Sequence, residues 1–183
     1  PMGKTGGRAT DEQLMTAVAG GDVDAFEELV RRHQKGALNV AYRMLSDEHR
    51  AQDVVQEAFL CVLDHAKRYR PTARFRTYLY RILTRICIDH YRKRRPRLSA
   101  ELGQREVESE SPSEAMMRSE RAERVRRAVE RLPERQRIAV VLQHYEDLSY
   151  EEIAETLDCS VSAVDSLLVR ARRKLEKWLS GIL

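Results

Sequence analysis

The sequence is short of the residues that build sheets and disulfide frameworks. Aromatics make up 6% of 183 residues, and there are only 8 Gly and 5 Pro. Few strand formers and few turn residues argue against a sandwich or barrel and point to an all-α protein. Cysteine is scarce as well. Cys61, Cys87 and Cys159 are odd in number, far apart and set within apolar helical patterns. No pair has the spacing of a zinc site or a redox pair, which leaves buried free thiols in a reducing cytoplasm. There is no secretory h-region and no apolar run of membrane-spanning length, so no membrane insertion is expected. Pro1 ahead of Met2 reads as a scar of tag removal. His33, His49, His65, His90 and His144 are scattered without ligand spacing, and no carboxylates or metal ligands cluster for catalysis. Neither a metal nor a cofactor is expected, and an enzyme acting on nucleic acid is disfavoured.

What is present is charge, unevenly distributed. Hydrophobic residues are 42% and charged residues 34%, a mix that suits folded helical domains with charged surfaces. The formal net charge is +4. From Lys67 to Arg97 there are twelve basic residues and one acidic residue, Asp89. From Leu98 to Ala115 there are five Glu and one basic residue, Arg105. This asymmetry suggests one surface for a polyanion and a separate acidic linker.

Helical periodicity organises the rest. Thr10-Asp-Glu-Gln13 reads as a capping box opening a helix to about residue 19, broken by Gly20-Gly21. Phe26, Leu29, Val30, His33, Ala37, Val40, Ala41 and Met44 mark a second helix to about residue 45. Val54, Val55, Ala58, Phe59 and Val62 mark a third, ending near residue 66. A short loop from Tyr69 to Phe75 precedes a fourth helix that dissolves into Arg92-Lys-Arg-Arg-Pro96. Two small helical domains are expected, at 8–96 and 116–183, joined by a flexible acidic linker at 97–115. The second half should hold helices at about 116–131, from Pro133 to about 145, a short one behind the capping box Ser149-Tyr-Glu-Glu152, and one at about 162–179.

Three segments carry chemistry. Residues 149–175 have a helix-turn-helix layout: a capped short helix, the turn Asp158-Cys-Ser160, and a longer helix bearing Arg170, Arg172, Arg173 and Lys174. Basic residues on one face suit phosphates, while the N-terminal turn can point at base edges. An ordinary helical hairpin with a solvated basic face is the plainer alternative. The segment 67–97 interleaves rings with charge: Tyr69, Arg70, Arg74, Phe75, Arg76, Tyr78, Tyr80, Arg81 and Arg85. Unpaired bases stack on rings at about 1–3 kcal/mol each, so this half suits opened DNA more than intact duplex. Tyr69, Phe75 and Tyr78 stand as contact candidates or as core. Finally, Asp53, Gln56, Glu57 and Leu60 share one helix face, either a protein-binding patch or a solvated surface.

Together these motifs resemble the extracytoplasmic-function sigma factors, a group of the sigma-70 family of RNA polymerase subunits. The resemblance runs from about Asp11 to Leu179. It is strongest at Asp53-Val-Val-Gln-Glu-Ala-Phe59, Phe75-Arg-Thr-Tyr-Leu-Tyr-Arg-Ile82, Arg131-Leu-Pro-Glu-Arg135 and Leu148-Ser-Tyr-Glu-Glu-Ile-Ala154. It implies that the first half grips the clamp helices of the polymerase largest subunit through Asp53, Gln56, Glu57 and Leu60. It implies that Tyr69, Arg74, Phe75, Arg76, Tyr78, Arg81, Arg85, Arg92 and Lys93 contact the −10 element and capture a flipped base. It implies that the second half, which also meets the polymerase flap, reads the −35 duplex through Ser160, Ser162, Ala163, Asp165, Ser166, Arg170, Arg173 and Lys174. It further implies an inhibitory anti-sigma partner, and no obligate homo-oligomer is expected.

The sequence departs from the family pattern in places. Tyr78 stands where many members have Trp, and Arg85 where Asn is frequent. Arginine accepts no hydrogen bond, so a different preference at the flipped base is expected. Asp165 and Leu167 stand where basic residues are frequent, and Asp165 can accept from a cytosine amino group. A different −35 sequence follows. An autonomous duplex-binding regulator is the competing class; it has no use for the ring-and-arginine segment.

Overall fold

The computed structural model describes residues 9–94 and 114–180, so 97–113 of the acidic linker lie outside the described residues. Among the described residues there are eight α-helices and one short 3-10 turn, with no strand. The first half holds α1 (Asp11–Ala19), α2 (Val23–Leu45), α3 (Glu48–Asp64), the 3-10 turn Ala66–Arg68 and α4 (Phe75–Arg94). The second holds α5 (Glu114–Glu130), α6 (Glu134–Glu146), α7 (Tyr150–Leu157) and α8 (Val161–Leu179).

The helix starts follow from the sequence. Thr10 Oγ1 accepts from the Gln13 backbone N–H at 3.2 Å, and Gln13 Oε1 accepts from the Thr10 N–H at 2.9 Å. This reciprocal pair satisfies two of the orphan donors at the start of α1. Asp22 and Asp47 cap α2 and α3 by accepting from Ala25 and Arg50 N–H at 3.0 and 3.1 Å. Gly21 sits at φ +93°, a turn conformation that side chains resist. Only Ser46 and Asp47 separate α2 from α3, so the two helices must fold back on each other. The third helix ends at Asp64, two residues earlier than its apolar pattern, because His65 leads into the 3-10 turn.

The core is one continuous cluster. Met15, Leu29, Val40, Val54, Val62, Leu79 and Leu83 fill the first half, and Ile138, Leu142, Ile153, Val164 and Leu168 the second. Burying each such side chain is worth roughly 1.5–3 kcal/mol. The two halves pack on each other, α2 against α6 and α4 against α7. Arg137 of α6 joins them and is only 5% exposed. It donates to the Met44 carbonyl at the end of α2 at 2.8 Å, and to the Glu130 and Leu132 carbonyls at the end of α5. Helix C-termini carry unsatisfied carbonyls and a partial negative charge, so a buried guanidinium is well placed there.

Candidate nucleic-acid and partner interfaces

The segment α7–α8 folds as a helix-turn-helix. Ser149 and Glu152 form the capping box of α7, with distances of 3.2 and 2.9 Å. The turn is sharp because Asp158 takes a left-handed conformation at φ 51°. The Cys159 N–H then closes onto the Ala154 carbonyl at 3.0 Å. Ser160 caps α8 by accepting from the Ala163 N–H at 3.2 Å, and its hydroxyl lies 3.1 Å from that of Ser162. Ile153, Leu157, Val164, Leu168 and Ala171 form the buried side. On the opposite side Ser160, Ser162, Asp165, Ser166, Arg170 and Arg173 are exposed, while Ala163 and Lys174 are half-buried. Arg170 Nε donates to the Ser166 carbonyl at 2.9 Å, which fixes the side chain along the helix.

The ring-and-arginine segment resolves into an inner and an outer set. Arg74, Arg81, Arg85 and Arg92 are exposed and Arg76 is half-buried, while the side chain of Lys93 lies outside the described residues. Phe75, which the sequence left open between a base contact and the core, is 1% exposed and sits in the core. Its position at the first turn of α4 aims the ring inward, 5.0 Å from the His33 ring. Tyr69 and Tyr78 are half-buried with ring centroids 5.0 Å apart. Burial pushes both phenol pKa values up, so both hydroxyls stay protonated at neutral pH. The Tyr69 hydroxyl and Thr77 Oγ1 are buried without a hydrogen-bond partner. Buried polar atoms in this condition are costly unless something else supplies the bond.

On α3, Asp53, Gln56, Glu57 and Leu60 all face solvent, and Leu60 is 60% exposed. Beside them runs a groove of about 410 Å³ between α2 and α3, walled by Phe26, Val30, Leu38, Val55 and Phe59. The contribution of α2 was missed in reading the sequence. The spacing of Phe26, Val30, Gln34 and Leu38 could have revealed it, as a four-residue stripe offset from the buried one through Leu29, Ala37 and Ala41.

A cleft of about 590 Å³ lies between α4 and the α7–α8 turn. Arg70, Thr77, Tyr78 and Arg81 line one wall, and Glu151, Glu155 and Asp158 the other. Arg74 lies 3.8 Å from Glu152, and Arg81 lies 3.9 Å from Asp158. The thiols divide differently from the expectation of uniform burial. Cys87 is buried, whereas Cys61 and Cys159 are partly exposed. Among the described residues no group of three or more His, Cys, Asp or Glu is placed to hold a metal ion, and no helix is long and apolar enough to cross a membrane.

A helix-turn-helix coupled to a ring-bearing basic helix defines a nucleic-acid-binding protein. Residues 29–97 match the family described as Sigma-70 region 2, and 122–175 match Sigma-70, region 4. The chain is 37% identical to the RNA polymerase sigma-H factor of Pseudomonas aeruginosa, over 94% of this chain and 95% of that protein. It is 32% identical to the ECF RNA polymerase sigma factor SigW of Bacillus subtilis, over 88% and 92% respectively. A structure of CnrH in complex with the cytosolic domain of CnrY aligns with 94% of this chain and 99% of that one, at 29% identity and a TM-score of 0.73. The chain therefore belongs to the sigma-70 family of transcription initiation factors, as an alternative sigma factor of the extracytoplasmic-function group.

Proposed function

We propose that this sigma factor acts in the cytoplasm by binding alone, with no catalysis of its own, and that its surfaces divide the work of starting transcription. The α3 face at Asp53, Gln56, Glu57 and Leu60, with the apolar groove beside it, engages the clamp helices of core RNA polymerase. A polar patch edged by an apolar groove is the composition of a protein interface. The exposed arginines of α4 hold the phosphates of the −10 region, and Tyr69 and Tyr78 receive a flipped base. The unpartnered Tyr69 hydroxyl and Thr77 Oγ1 support this, since an unstacked base brings hydrogen-bonding edges. Lys93 belongs to the same basic run. The α8 face from Ser160 to Lys174 reads the −35 duplex in the major groove, with Asp165 and Arg170 nearest to base readout and Arg173 on phosphate. The second half also contacts the polymerase flap, and an anti-sigma factor controls the whole.

The observation that carries this reading is the ordered presence of both sigma regions in one chain, with Asp53, Gln56, Glu57, Arg74, Arg81, Arg85, Asp165 and Arg170 facing solvent. Reconstitution with bacterial core polymerase on host genomic DNA, followed by start-site mapping, tests it. Starts that share two elements upstream support it. A chain that yields no sigma-dependent starts, yet protects a duplex site unaided, refutes it in favour of an autonomous regulator.

A further inference from the structure

The start of α4 has no cap of its own. Arg74 holds the N-cap position, where its carbonyl accepts from the Tyr78 N–H at 3.2 Å, and an arginine side chain accepts no hydrogen bond. The first turn of α4 carries no acid. Arg74 and Arg76 flank it instead, although the N-terminus of a helix disfavours positive charge. By contrast α1, α2, α3, α7 and α8 each open on a Thr, Asp or Ser whose side chain accepts from the helix's own backbone. What α4 lacks, α1 supplies. Glu12 Oε1 accepts from the Phe75 N–H at 3.4 Å, across 63 residues of chain.

The same short helix braces α4 at a second point. Asp11 Oδ2 lies 2.7 Å from His33 Nε2, and its other oxygen accepts from Arg32 at 2.9 Å. The His33 ring stands 5.0 Å from the Phe75 ring, and Phe75 in turn backs Tyr69 at 6.5 Å and Tyr78 at 6.3 Å. Helix α1 also packs on the 3-10 turn Ala66–Arg68, whose C-cap is Tyr69. The carboxylates of Glu12 and Asp11 add to the burial that pushes the Tyr69 phenol pKa up, which places both acids close to that ring. Two ties thus run from α1 towards the tyrosine pair, one through the backbone of Phe75 and one through its side chain. The match to Sigma-70 region 2 begins at residue 29, after α1 has ended.

We propose that Glu12 is a positioning residue for base capture: from α1 it holds the first turn of α4, so that Tyr69 and Tyr78 stand ready for an unstacked base, with Asp11 and His33 bracing Phe75 behind them. The role of the two tyrosines rests on the reading given under Proposed function; the tie from α1 to α4 does not. A pocket in the right geometry for only part of the time captures its base in proportion to that fraction. Losing a helix cap of ordinary strength corresponds to a change of about fivefold.

The test uses the full chain with bacterial core polymerase on a promoter duplex recovered by start-site mapping. Gel retention in the cold reads closed-complex binding, and permanganate reactivity of the −10 thymines reads opening. Glu12→Ala should bind the duplex as wild type does and open it about fivefold less, with faster amide exchange across residues 75–78. Glu12→Gln keeps a carbonyl oxygen within reach of the Phe75 N–H and should restore opening. His33→Leu keeps bulk against Phe75 but drops the bond to Asp11; it should show the same selective loss and carries the test should Glu12→Ala fail to fold. Wild-type opening by Glu12→Ala, equal losses of binding and opening, or no recovery with Glu12→Gln would each overturn the proposal. A wild-type chain that opens no promoter would count against the proposed function instead. The exchange comparison needs neither polymerase nor DNA, and unchanged exchange in Glu12→Ala would refute the tie by itself.

Discussion

Replacing Arg137 with alanine should unfasten two helix ends at once. The side chain is 5% exposed and donates to carbonyls that close α2 and α5. Removing it leaves the Met44, Glu130 and Leu132 carbonyls without that donor in a water-poor place. Each buried orphan costs about 1–3 kcal/mol, and removing a buried charged partner costs about 3–5 kcal/mol in all. For a chain of this size 1 kcal/mol shifts the melting temperature by roughly 2–4 °C. The expected loss is therefore about 6–20 °C. Arg137→Lys keeps the charge but not the fork of donors, and should fall between. Because the contacts reach both halves, the alanine variant should also lose cooperativity, with the halves melting separately. Thermal and urea unfolding followed by far-UV circular dichroism reads both effects. A loss below about 1 kcal/mol would place Arg137 within the range of a surface residue and refute the reasoning.

Three further outcomes follow from individual side chains. Burial pushes the Cys87 thiol up to about 12, so at pH 8 iodoacetamide should label Cys61 and Cys159 while Cys87 reacts only on unfolding; peptide mass spectrometry that finds Cys87 labelled first would contradict its place in the core. Hydrogen bonds from Arg31 and Arg32 hold Glu28 down to about 2, and Arg126 and Arg127 do the same for Glu123. A depressed carboxyl stabilises the fold above its unfolded pKa of 4.5 and loses that contribution as pH falls towards 2, so a Glu28→Gln, Glu123→Gln variant should show a flatter melting profile between pH 4.5 and 2. Arg170→Ala should weaken −35 binding by roughly 1–3 kcal/mol if the side chain reads a base, with relaxed specificity at one position. A uniform loss across sequences in a binding-site selection would assign it to phosphate instead.

The local elements were legible because each helix start carries its own chemistry. Thr10 and Ser149 open capping boxes that appear in the sequence as a spacing of three, whereas Pro133, expected in the first turn, stands one residue ahead of α6 at its N-cap. Phe75 was not legible, since a ring beside arginines reads alike whether it faces a base or the core; only its register in α4 decides. Arg137 carried no signal at all. It reads as a surface base, and its buried place rests on the Met44 carbonyl, 93 residues away in the chain. Tyr80 sits in the ring-and-arginine segment, but its partner Glu146 is 66 residues away. Periodicity reports which face a helix buries, not which distant helix it meets.

The groove beside Leu60 is walled by α2 and α3 alone, with no residue from α5 to α8 at its edge. A protein arriving there would find its landing place clear of the second half. Such a partner can be recruited by the first half alone, whatever the second half is holding at the time.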